Sequence, residues 1–189
     1  MELPIKAVFF DYFGVISSEG YWQLVKEDKN VGGNFADLAE RMNSGALSWA
    51  GFVQKIAELT QQSPEDVQHF YQSERINPEV MALADALHGR YVTGIITNAS
   101  QEFFAPLVEQ GHLQATFDHC VVSSQIGFVK PDPRIYQLAC QQAGVEPEEA
   151  VFIDDIARNV DGAIRVGMRG LLFSDVARLK LDLAKIGVR

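Results

Sequence analysis

Three groups of polar residues stand directly after short apolar runs in this 189-residue chain. Asp11 follows Phe9-Phe10, Thr97 and Asn98 follow Ile95-Ile96, and Asp154 and Asp155 follow Phe152-Ile153. Apolar runs this short are buried strands, and a parallel sheet binds ligands outside the carboxyl ends of its strands. The three groups would then converge on one crevice carrying carboxylates, a hydroxyl and an amide. Any one of them alone has a simpler explanation, since Asp, Thr and Asn at strand ends also serve as caps and turn residues. Three coincidences in one chain favour a site.

The elements that must position these residues are legible. Ile5–Phe10, Tyr91–Thr97, His119–Ser123, Ala150–Ile153 and Gly170–Phe173 predict five strands. Helical spacing of i, i+3, i+4, i+7 links Val80, Leu83, Ala84 and Leu87, and again Val160, Ala163, Ile164 and Gly167. Asn77-Pro78 and Asp132-Pro133 have the form of an N-cap followed by Pro at the first helical position. Gly89, Gly111, Gly144 and Gly167 fall where helices should end. Strands alternating with helices predict an α/β fold, a Rossmann-like parallel sheet covered on both faces.

One interval breaks the alternation. Residues 15–76 contain no strand pattern, yet Phe35, Leu38, Ala39 and Met42 form one helical stripe and Phe52, Ile56 and Leu59 another. Ser63-Pro64-Glu65-Asp66 has capping-box form ahead of Val67, Phe70 and Tyr71. A small helical cap over 15–76, inserted into a core of 1–14 and 77–189, is the expected organisation.

Composition excludes several classes. With 47% hydrophobic and 22% charged residues the chain is ordinary globular. A net charge of -9 speaks against a nucleic-acid or anionic-membrane partner. No apolar run approaches the ~20 residues of a membrane span. Cys120 and Cys140 lie in apolar contexts and read as reduced core thiols, and the first residues lack a signal-peptide layout, so a cytoplasmic location is expected. His69, His88, His112 and His119 show no ligand spacing.

Asp11, Thr97, the lysine of GFVKPDPRIY (Lys130) and the Asp154-Asp155 pair occur in the order, and at the stations, of four motifs. In this the chain resembles the haloacid dehalogenase-like hydrolases with a helical cap, over nearly its whole length. The resemblance implies that Asp11 attacks phosphorus and forms an aspartyl-phosphate. Thr97 and the backbone of Asn98 and Ala99 would donate hydrogen bonds to the phosphoryl oxygens, and Lys130 would offset charge. A cluster of Asp11, Asp154 and Asp155 calls for a hard cation, and Mg²⁺ suits such a set. By the family pattern Asp155 is a direct ligand, Asp154 a direct or water-mediated one, and the Phe13 carbonyl a third. Asn159, four residues past Asp155, is a candidate for support.

The family's phosphatases place a second aspartate two residues after the nucleophile, as general acid and base. Here Phe13 occupies that position and can do neither. Three readings remain open: a phosphatase for a small phosphorylated metabolite with a good leaving group, a 2-haloacid dehalogenase, or a slow or non-catalytic binding protein. Dehalogenases also have an aromatic residue at this position, and Asn98 and Ser100 look similar to their second motif, but they need no metal and lack the acidic pair. Arg41 is the candidate contact for an anionic leaving group, and Tyr21, Trp22 and Trp49 are candidates to shape the pocket. The oligomeric state is left open.

Overall fold

The computed structural model of the chain describes residues 3–17, 32–72, 76–109 and 113–189. Tyr21, Trp22, Gly111 and His112 lie outside the described residues, as do the side chains of Phe70 and Tyr71.

Five strands, β1 (Ala7–Phe10), β2 (Val92–Thr97), β3 (His119–Val122), β4 (Ala150–Asp154) and β5 (Arg169–Leu172), form one sheet in the order β3-β2-β1-β4-β5. Every pairing is parallel. The central strand β1 is buried along its whole length, as expected where helices cover both faces. The register sets Phe10 beside both Ile95 and Ile153. Asp11 therefore emerges level with the ends of β2 and β4, and its N–H donates to the Ile153 carbonyl at 2.8 Å.

The helices are α1 (Gly32–Asn43), α2 (Trp49–Thr60), α3 (Pro64–Gln72), α4 (Pro78–Leu87), α5 (Gln101–Glu109), α6 (Ser123–Ile126), α7 (Pro133–Ala143), α8 (Ala157–Arg165) and α9 (Val176–Lys185). Both expected N-caps form: the Asn77 side chain accepts from Glu79 and Val80 N–H, and that of Asp132 from Arg134 N–H. Gly144 closes α7 in the left-handed conformation. Ser63 Oγ accepts from Asp66 N–H at the start of α3, while its hydroxyl donates to the Asp66 carboxylate.

The stripe assigned to 160–167 holds only in part. Val160 and Ala163 are buried, but Ile164 is half exposed and Gly167 lies beyond the helix. The cause is position: α8 packs over β5, an edge strand, and no further strand covers its outer turn. Cys140 is buried and Cys120 half-buried, neither forms a disulfide, and burial pushes both thiols up to about 11.

Helices α1–α3 form their own apolar cluster around Phe35, Met42, Phe52, Ile56 and Val67, which Phe103 of α5 joins. Ser123 Oγ donates to the Asn43 carbonyl at 2.5 Å, and Trp49 N–H donates to Glu102 Oε2 at 2.5 Å. These bonds tie the helical layer to the carboxyl ends of β2 and β3. No described helix is long and apolar enough to cross a membrane.

Candidate active site

Lys130 is the centre of the strand-end cluster. It is 2% exposed, and its Nζ lies 2.7 Å from Asp11 Oδ1 and 2.7 Å from Asp154 Oδ2. A buried ammonium is tolerated only when paired, and two carboxylates hold this one. Burial alone would lower the Lys130 pKa, but Asp11 and Asp154 outweigh it and the net direction is up. Burial pushes the Asp11 carboxyl well above its ordinary range, Lys130 pulls it down, and the adjacent Asp154 charge adds to the rise.

The lysine is held by its neighbours. Asn98 Oδ1 accepts from Lys130 N–H at 2.7 Å, and Asn98 Nδ2 donates to the Lys130 carbonyl at 3.2 Å. The Asn98 side chain is thus occupied with the backbone of the lysine loop. The Lys130–Pro131 peptide is cis. Gly162 lets α8 approach this loop: a Cβ there would stand 2.7 Å from Pro131 Cβ and 2.8 Å from the Tyr136 hydroxyl.

Asp154 is fully engaged. Its Oδ1 accepts from Ile156 N–H at 2.8 Å and Asn159 Nδ2 at 3.1 Å, and its Oδ2 accepts from Lys130 and from Asn159 Nδ2 at 3.1 Å. Asn159 is 2% exposed, so it turns inward toward the acidic pair rather than lying on the helix surface. Oxygens of Asp11, Asp154 and Asp155 all lie within 4.8 Å of one another, and no histidine belongs to this group. Gly14, at φ +83°, makes room for Asp155, since a Cβ there would fall 2.5 Å from Asp155 Oδ2. Three carboxyl groups whose oxygens lie this close form an oxygen donor set that suits a hard dication.

Thr97 is wholly buried, and its Oγ1 has no hydrogen-bond partner among the described residues. Ala99 was an expected backbone donor to a ligand, but its N–H is spent on Ser123 Oγ at 3.1 Å. Ser100 Oγ accepts from Phe103 N–H and caps α5. Arg41 lies away from the site, exposed and 3.7 Å from Asp37.

A cavity of about 150 Å³ opens on Asp11, Phe13, Asn98, Lys130 and Asn159, and it is closed from the helical layer by Phe35, Ala39 and Asn43. The Phe13 ring packs edge-on to Tyr12 at 5.0 Å and stacks on Phe103 at 5.9 Å. Trp49 stands one ring further out, 5.2 Å from Phe103, and does not line the cavity. Strand-end reasoning missed Asn43 and Arg158, both cavity-lining. Asn43 ends the Phe35–Met42 stripe on another element, and Arg158 hides beside Asn159 in a motif read for its acids.

Known proteins are similar to this chain in sequence and in fold. The family model of haloacid dehalogenase-like hydrolases matches residues 5–167. The chain is 26% identical to (S)-2-haloacid dehalogenase 1 of Pseudomonas sp. (strain CBS-3), over 85% of this chain and 80% of that protein. It is 29% identical to Phosphatase MT3486 of Mycobacterium tuberculosis, over 90% of this chain and 88% of that protein. In fold it is similar to the HAD family enzyme BT-2542 of Bacteroides thetaiotaomicron, solved in complex with magnesium and inorganic phosphate. That likeness has a TM-score of 0.75 at 21% identity, covering 93% of this chain and 98% of the other. With the five-stranded parallel sheet and the acidic site at its carboxyl edge, these matches make the chain a member of the haloacid dehalogenase-like hydrolase family.

Proposed function

We propose that the chain is a Mg²⁺-dependent phosphatase for a small phosphorylated metabolite, with Asp11 as nucleophile. The observation that carries this reading is the trio of Asp11, Asp154 and Asp155 oxygens within 4.8 Å of one another, of which two carboxylates share Lys130. Asp11, Asp155 and the Phe13 carbonyl would hold the cation, with Asp154 orienting Lys130 and acting on the metal directly or through water. When bound, the cation neutralises phosphoryl charge that the carboxylates would otherwise repel.

The chain's own residues do the rest. Asp11 attacks phosphorus, the phosphorus–oxygen bond to the leaving group breaks, and an aspartyl-phosphate forms on the carboxylate. A water oxygen then attacks phosphorus, the bond to the Asp11 carboxylate breaks, and phosphate leaves carrying the water's proton. Lys130 holds Asp11 in place and offsets charge in both steps. A phosphoryl oxygen would supply the partner that Thr97 Oγ1 lacks, and an unsatisfied buried hydroxyl costs ~1–3 kcal/mol. Helices α1–α3, within a cap of 15–76 on a core of 1–14 and 77–189, would exclude water from the reaction.

Phe13 leaves the reaction without the usual acid, which favours leaving groups that depart as stable anions, such as acyl phosphates and anomeric phosphates. Phe13 also supports the second reading, a 2-haloacid dehalogenase, since halide needs no proton. Against that reading stand the acidic pair and an exposed Arg41 that does not line the cavity. The test is turnover of a panel of phosphoesters, acyl phosphates and 2-haloacids, with Mg²⁺ and with chelator. Phosphate release that needs Mg²⁺ and is lost in Asp11→Asn is the expected result. Halide release insensitive to chelator would overturn it.

A further inference from the structure

Beside the nucleophile's cavity lies a second, wider one of about 380 Å³, bounded by α1, the Lys130–Pro131 loop and the first turn of α8. Arg158, Asn43, Asn98 and Lys130 line both, so the two spaces form one path from the surface to Asp11. Lys130 is consumed by Asp11 and Asp154. Arg158 is not: it is exposed, and it makes no ion pair among the described residues. Asn43 Oδ1 is buried on the opposite wall with no hydrogen-bond partner among the described residues. Glu40, the acid on this path, lines only the outer space.

We propose that Arg158 is a specificity-determining residue that selects substrates whose leaving group carries a second anionic group, a carboxylate or a second phosphoryl. The inference rests on the phosphatase reading and deepens it. A cation held by the acidic trio, together with Lys130, would offset the charge of the transferred phosphoryl, which leaves Arg158 for a different anion. Arg158 lines the inner space of about 150 Å³ together with Asp11, so an anion on the leaving group can share that space with the phosphoryl. A guanidinium fork bonds carboxylate and phosphoryl oxygens in pairs, and a partly enclosed cavity strengthens each such bond. Asn43 lines the same space and adds an uncharged polar side chain to it.

The experiment compares matched pairs that differ by one anionic group. They are 3-phosphoglycerate against glycerol phosphate, 4-carboxyphenyl phosphate against its carboxamide, and 1,3-propanediol bisphosphate against the monophosphate. Binding is measured by calorimetry with Mg²⁺ on the Asp11→Asn protein, with and without Arg158→Gln, and turnover on the wild type. At least one anionic member is expected to bind about tenfold more tightly than its partner, the worth of one charge-assisted hydrogen bond. Arg158→Gln is expected to equalise that pair and Arg158→Lys to keep part of the preference. The carboxylate and bisphosphate arms report which anion fits. Equal affinities in every pair, or a preference that survives Arg158→Gln, would overturn the proposal. Selective binding with no turnover of any phosphate would instead sink the phosphatase reading and leave Arg158's role standing.

Discussion

Replacing Phe13 by aspartate tests whether the backbone already presents a side chain at the place where an acid is needed. The ring now contacts Tyr12 at 5.0 Å and Phe103 at 5.9 Å, and such aromatic pairs are each worth ~0.5–1.5 kcal/mol. Losing both costs ~1–3 kcal/mol, which a domain of ~5–15 kcal/mol survives. The kinetic gain is at least comparable. A positioned general acid contributes ~10²–10⁴ in rate, so even the low end lowers the barrier by ~2.7 kcal/mol. The assay is kcat/KM with Mg²⁺ across phosphate esters of rising leaving-group pKa, for wild type, Phe13→Asp and Phe13→Asn. Wild-type rates should fall steeply as the leaving group becomes more basic. Phe13→Asp should flatten that dependence and raise alkyl phosphate hydrolysis about 10²-fold or more, while Phe13→Asn loses the same packing without gaining a proton donor. Parallel slopes for all three proteins would refute the argument, because the missing proton would then not limit the reaction.

Other perturbations follow from single contacts. Asn159→Leu removes both bonds to Asp154, and metal-dependent activity should fall about 10–100-fold with a higher Mg²⁺ requirement in a metal titration. Gly162→Ala puts a Cβ 2.7 Å from Pro131, so thermal unfolding should show a loss of ~1–3 kcal/mol. Ser123→Ala removes the bond to Asn43 and the acceptor for Ala99 N–H, and should cost ~1–3 kcal/mol in denaturant unfolding. Asp132→Ala removes the cap of α7 and should cost ~1 kcal/mol. Hydrogen bonds from Arg134 hold Asp132 down at about 2, below the ordinary carboxylate range. Its contribution is therefore complete above ~pH 4 and lost as pH falls toward 2, so the stability gap to Asp132→Ala should close across that window.

Much of the architecture was legible because it is local. Strand ends at Thr97 and Asp154, the caps at Asn77 and Asp132, and the helical stripes of Phe35 and Phe52 depend on neighbours within a few residues. Composition and period suffice for such features. The Ile164 stripe failed because a helix at the sheet edge shows the same period as one in the middle while burying less. Arg41 and Asn43 show the same limit more sharply. They are two residues apart on α1, and one turns outward to Asp37 while the other closes the cavity.

The order of Asp11, Thr97, Lys130 and the acidic pair along the chain was sufficient to identify the family. It could not say how those groups meet. Lys130 and Asp154 are 24 residues apart, and Asn98 and Lys130 are 32 apart. Their pairing depends on which strands lie side by side, a consequence of burying both faces of the sheet at once. Folding also spent the Asn98 side chain on the lysine loop and the Ala99 N–H on Ser123, and it left Thr97 Oγ1 unpartnered among the described residues. Residue type reveals what a group can bond. Which bonds remain for a ligand is settled only when every neighbour has taken its own partner.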